Sequence, residues 1–188
     1  MTKDEMKKAV CRAIDEAAET IHETVLRIES EPELGYKETK TASKVESYMK
    51  ELGLTTQTGL ALTGVKARVD GGKKGPAVAV LAELDAVGTP DSPKADPLTG
   101  AAHTCGHFLQ MASMLAACTG IVRSGVMKDL AGSAVFFAVP AEEYVEIDYR
   151  KRLVKEGKIH FLGGKSELVY EGHFDDIDMA MMMHSQGN

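Results

Sequence analysis

The stretch Ala77-Val78-Ala79-Val80-Leu81-Ala82-Glu83-Leu84-Asp85 decides the fold. From Ala77 to Leu84 only Glu83 is polar, and nothing alternates, which suits a strand buried on both faces of a sheet. Two further runs of this kind follow, Ala131 to Val139 and Ile177 to Met183. The spacing between the first two predicts a helix from about Gly106 to Val122. Strands separated by helices argue for an α/β fold, with a mixed, mostly parallel central sheet flanked by helices. In such a sheet the right-handed crossover rule brings the ends of parallel strands to one rim.

Upstream, Asp4 to Ile28 reads as one long amphipathic helix, with Val10, Ile14, Ala17, Ile21, Val25 and Ile28 at helical spacing. Glu31-Pro32-Glu33-Leu34-Gly35 breaks it. A second helix runs from about Lys37 to Glu51, with Gly53 in the usual C-terminal glycine position. Leu60 to Asp70 reads as a half-exposed strand, since Val65, Ala67 and Val69 alternate with Lys66 and Arg68. Gly71 to Pro76 is a turn, and Gly88 to Gly100 is a surface loop rich in Pro, Asp and Ser. Between Tyr144 and Asp176 two pieces look helical, Asp148–Glu156 and Lys165–Glu171. The run Met181 to Met183 reads as buried strand rather than as a methionine-rich binding surface. The sequence ends at Ser185-Gln186-Gly187-Asn188 with no closing helix predicted.

With 188 residues, 44% hydrophobic and 27% charged, the chain suits one well-cored globular domain. A formal net charge of -6 gives no reason to expect nucleic acid or an anionic membrane as partner. No apolar run approaches a membrane span, and the N-terminus has no apolar signal core. Three cysteines are too few for a disulfide framework, so the cytoplasm is the expected compartment.

The predicted strand ends carry the chemistry. The first supplies Glu83 and Asp85, the second Glu142 and Glu143 after Pro140, and the third His184. After the first comes Ala102-His103-Thr104-Cys105-Gly106-His107, a thiol and two imidazoles just ahead of a helix. Cys105 and His107 are good ligands for zinc, and a helix N-terminus would help form the thiolate. At the turn the two glutamates should diverge, one to bind a metal and the other to hold the proton of its water. Each element alone also has a plain reading: a buried thiol, a solvated turn, a hydrogen-bonded histidine. A cysteine nucleophile with His107 as base is disfavoured, because two residues at a helix start are poorly placed for proton transfer and the glutamates would have no role.

Glu31-Pro32-Glu33-Leu34-Gly35-Tyr36, Ala82-Glu83-Leu84-Asp85-Ala86, His103-Thr104-Cys105-Gly106-His107, Pro140-Ala141-Glu142-Glu143, and Asp176-Ile177-Asp178 leading to His184 together resemble a known family. It is the metal-dependent amidohydrolase superfamily of the aminoacylases, carboxypeptidases, p-aminobenzoyl-glutamate hydrolase, hippurate hydrolase and auxin-conjugate hydrolases. The resemblance implies a zinc-exopeptidase-like three-layer sandwich and two divalent metal ions, zinc or manganese. It implies Cys105 as the bridging ligand, with His107, Glu143 and His184 as further ligands. Glu142 would be the general base, and Asp85 would orient a ligand. The implied substrate is an N-acyl amino acid or a small dipeptide-like molecule.

Three departures from the family pattern stand out. Where many members continue Cys-Gly-His with Asp-x-His, this chain has Phe108, Leu109 and Gln110. The segment Tyr144 to Asp176 is long; it reads chiefly as solvated helix, or else as a flap carrying Arg150, Arg152 and His160 towards a substrate carboxylate. The family fold also has a lid domain, often the homodimer interface, and a last metal-ligand histidine beyond it. Residues 1–188 are therefore expected to be the N-terminal part of one catalytic domain, holding metal weakly and turning over little or nothing alone. The competing reading is a non-catalytic metal-binding or interaction module derived from the same fold.

Overall fold

The computed structural model describes residues 1–185. A five-stranded sheet forms its middle, in the order β1 (Thr56–Leu60), β2 (Gly64–Asp70), β6 (Ala131–Val139), β3 (Lys73–Glu83), β7 (Met179–Met182). The pairs β3/β6 and β3/β7 are parallel, whereas β1/β2 and β2/β6 are antiparallel. The mixed sheet thus has three parallel strands, β6, β3 and β7, ending on one rim. A short ladder, β4 (Val87–Gly88) with β5 (Ala101–Ala102), closes the proline-rich loop at its base.

Strand β6 shows why the sheet is buried on both sides. Phe136 and Phe137 are adjacent, point to opposite faces and are both fully buried. Phe136 joins the core made with α2 (Ala18–Glu29), α3 (Thr39–Glu51) and α4 (His107–Ser124). Phe137 joins Tyr36, Leu153, Ile159 and Leu168 under α5 (Ile147–Lys155) and α6 (Gly164–Tyr170). The result is three layers, helices on each face of the sheet.

Four expectations are corrected. The long N-terminal helix is two, α1 (Lys3–Asp15) and α2, parted at Ala17, whose N–H bonds Ile14 O at 3.0 Å. No glycine or proline marks this break; the two halves pack separately along α4. The extended stretch before Asp70 belongs to a hairpin, turned by Ala61 and Leu62 at φ 43° and 76°. These are left-handed positions that would ordinarily favour glycine or asparagine, so the sequence gives no turn signal there. Lys66 is not on an open face: it is buried and donates to His173 O and to the Asp176 carboxylate, each at 2.8 Å. The last strand is not buried. Among the described residues β7 pairs with β3 alone, at one edge of the sheet, and all four of its residues are exposed. The predicted ending at Gln186–Asn188 lies outside the described residues.

Candidate metal centre

The rim beyond β3, β6 and β7 gathers every predicted site residue. Gly106 makes this possible on the α4 side. Its φ of 101° is a conformation side chains rarely adopt, and it turns the chain between Cys105 and the first residue of α4, His107. The ring of His107 is buried and held from one side. Its Nδ1 lies 2.8 Å from Asp85 O and 3.4 Å from Asp85 Oδ1. Donation there leaves Nε2 buried and facing the carboxylates of the rim. This is the arrangement by which a histidine ligand is oriented for a metal.

Around His107 Nε2 stand Glu83 at 2.9 Å, Glu143 at 3.7 Å and Glu142 at 3.8 Å. The two adjacent glutamates therefore converge on one point instead of diverging. Cys105 Sγ lies 3.4 Å from His184 Nε2, and the rings of His107 and His184 meet edge to face. Two groups of donor atoms each lie within 4.8 Å of one another: Cys105 with His107 and His184, and Glu83 with His107 and Glu142.

The electrostatics favour a cation. Burial raises the Glu142 carboxyl, and Glu83 and Glu143 beside it add to the rise. Burial and the same carboxylates push the Cys105 thiol up to about 12, against the help towards a thiolate expected of the helix N-terminus. Burial works against a charged His107, but Asp85 and Glu83 outweigh it and lift the ring to about 10. Burial also opposes the charge on Glu83, yet His107, Lys165 and Gln110 hold it at about 2. A crowd of carboxylates, a thiol beside them and a buried imidazole nitrogen turned towards them fit a divalent ion.

Residues not singled out for a role complete the site. Gln110 carries an amide that grips Glu83 twice, accepting from its backbone N–H at 3.1 Å and donating to its carboxylate at 2.8 Å. Lys165 pairs with the other oxygen of Glu83. Glu83 was readable as a strand-end carboxylate, two residues from Asp85 on the same side of β3; nothing in the sequence marked its partners. His103 packs against Phe108, and neither of its ring nitrogens has a hydrogen-bond partner.

The flap, the less favoured reading of residues 144–176, does not form, and α5 is not simply a solvated helix, since Leu153 packs into the core. Arg150 is wholly buried, pointing inward from α5 to backbone carbonyls. Arg152 lies outside, over the Tyr149 ring, and His160 is bound to Glu167 at 2.9 Å.

No family model matches the chain. In sequence it is 28% identical over 187 residues to the N-acyl-L-amino acid amidohydrolase of Geobacillus stearothermophilus, covering 98% of this chain and 45% of that protein. It is 30% identical over 163 residues to thermostable carboxypeptidase 2 of Saccharolobus solfataricus, covering 84% and 37%. Among solved structures, Bacillus subtilis YxeP, described as a dinuclear metal binding peptidase from the M20 family, superposes with a TM-score of 0.68 at 23% identity, over 96% of this chain and 44% of that one. The chain thus spans less than half the length of the relatives it matches.

Proposed function

We propose that the chain belongs with the M20 amidohydrolases and peptidases that it resembles, and that it takes part in metal-dependent hydrolysis of an amide bond. We place it as the N-terminal part of a catalytic domain. The substrate class is an N-acyl amino acid or a small dipeptide-like molecule, as the names of the relatives suggest. The observation that carries the reading is His107: its Nδ1 is tied to Asp85, and its buried Nε2 faces three carboxylates, Glu83 the nearest at 2.9 Å.

Cys105, His107, Glu143 and His184 would hold two divalent ions. Thiolate and imidazole suit zinc, and carboxylates admit manganese. Bound there, such an ion lowers the pKa of a water and polarises the amide carbonyl. Glu142 is the more exposed glutamate of the pair, at 38% against 22%. It takes the proton of the attacking water and returns it to the leaving amine, and its raised pKa suits that exchange. Asp85 works on two others: it fixes the His107 ring, and its Oδ2 accepts the Glu143 N–H at 2.8 Å. Cys105 and His184 lie on the open side of the rim, so the 188-residue chain alone should hold metal weakly and turn over little.

The test is Glu142→Gln in the protein as the cell makes it. Release of free amino acid from N-acyl amino acids should fall by about 10²- to 10⁴-fold while bound metal stays unchanged. A non-catalytic module would show no turnover to lose. Turnover that survives chelation, or a Glu142→Gln protein that loses metal as fully as His107→Ala, contradicts the proposal.

A further inference from the structure

Between the end of β6 and Glu142 sits a residue whose backbone is held on every side. Ala141 has φ 52°, the left-handed region, where a residue with a Cβ crowds the following carbonyl. Its N–H donates to Glu38 Oε1 at 2.8 Å. Its carbonyl accepts from Gly164 N–H at 3.0 Å and from Arg150 Nη1 at 3.3 Å. The other guanidinium nitrogen, Arg150 Nη2, donates to Glu143 O. One planar fork therefore spans the carbonyls on either side of Glu142.

Both holding groups are built in. Glu38 and Arg150 are fully buried, the most costly places for charge unless the groups are well bonded. The second oxygen of Glu38 accepts from Thr63 Oγ1 at 2.6 Å, and Arg150 Nη1 also donates to Leu162 O at 2.7 Å. Gly35 makes room for the assembly. A Cβ there would run into the Arg150 guanidinium and come within 2.9 Å of Ala141 Cα.

We propose that Glu38 and Arg150 are positioning residues, a clamp that holds Ala141 left-handed so that Glu142 and Glu143 both aim at His107. Neither touches the reacting atoms. The inference deepens the proposed function, since Glu142 and Glu143 are the base and a ligand in that reading. Lysine cannot replace Arg150, because a single ammonium cannot bridge two carbonyls. Glutamine can replace Glu38 in part, because its amide oxygen still accepts from Ala141.

The test follows amide hydrogen exchange at Ala141 and Glu143, and binding of Co²⁺ as a spectroscopic probe. Arg150→Lys and Glu38→Ala should stay folded by circular dichroism. They should lose at least about tenfold protection at those two amides, with Phe137 in β6 unchanged, and bind Co²⁺ about 10–100-fold more weakly with an altered visible spectrum. Glu38→Gln should retain most of the affinity. Adding Ala141→Gly, which removes the cost of left-handed backbone, should restore part of what Arg150→Lys loses. Unchanged exchange at Ala141 and Glu143 in the folded variants overturns the clamp. So does a uniform loss of protection across β6 that Ala141→Gly fails to relieve. If the unaltered protein takes up no Co²⁺, the metal reading fails, and exchange alone decides the clamp.

Discussion

Glu38 carries a consequence at the scale of one residue. Burial, and then the nearby charge of Asp85, raise its carboxyl from the ordinary 4.5 to about 7, although the bonds from Thr63 and Ala141 pull it down. The folded chain then holds this proton more tightly than the unfolded chain does. Stability from this group is full below about pH 4.5, is lost as pH rises towards 7, and is flat above that. At about 1.4 kcal/mol per pKa unit the loss is roughly 3 kcal/mol. Urea unfolding from pH 4.5 to 8 should show wild type losing stability relative to Glu38→Gln by an amount of that order. A constant gap between the two proteins would show that Glu38 does not titrate in this range. Nothing in the sequence announced this residue. Glu38 stands among charged residues at a helix start, where a carboxylate ordinarily faces water. Arg150 was equally opaque: from α5 alone it reads as surface, and only the fold reveals the carbonyls that it bridges.

At the scale of elements, hydrophobic pattern was a sound guide where both faces of a strand are covered. β6 and β3 were legible because an unbroken apolar run needs cover on both of its faces, which a central strand provides. Pattern failed where covering depends on distant chain. Lys66 looks like an outward residue, but the loop carrying Asp176 folds over it. The methionines of β7 look like core, yet among the described residues they stay exposed on the outer side of β3. Two substitutions separate these cases. Phe137→Ala should cost about 3–5 kcal/mol by chemical denaturation, as a buried aromatic deletion does. Met181→Ser, on a residue 59% exposed, should change stability by less than about 0.5 kcal/mol. A large loss at Met181 would mean that β7 is covered. The motif Glu31–Tyr36 shows a middle case. Its residues were legible as a set, but their jobs were not: Glu33 accepts from the N–H groups of Lys40 and Thr41 at the start of α3, Gly35 admits Arg150, and Tyr36 donates to Phe161 O at 2.9 Å.

Across the whole molecule, parallel strand ends, a glycine-turned helix start and a clamped turn place a thiol, two imidazoles and several carboxylates on one rim. Their identity was readable because metal ligands come from a short list of residue types. Their mutual geometry was not, since it depends on Gln110, Lys165, Glu38 and Arg150, which carry no such signature. The central claim is that this rim holds a divalent metal. Equilibrium dialysis of the protein as the cell makes it against zinc or manganese measures that directly, with His107→Ala and Cys105→Ala in parallel. A metal-holding rim predicts metal retained by the unaltered protein, removable by chelator, and lost in both variants while each remains folded. Metal uptake that is absent, or equal in all three proteins, would contradict it.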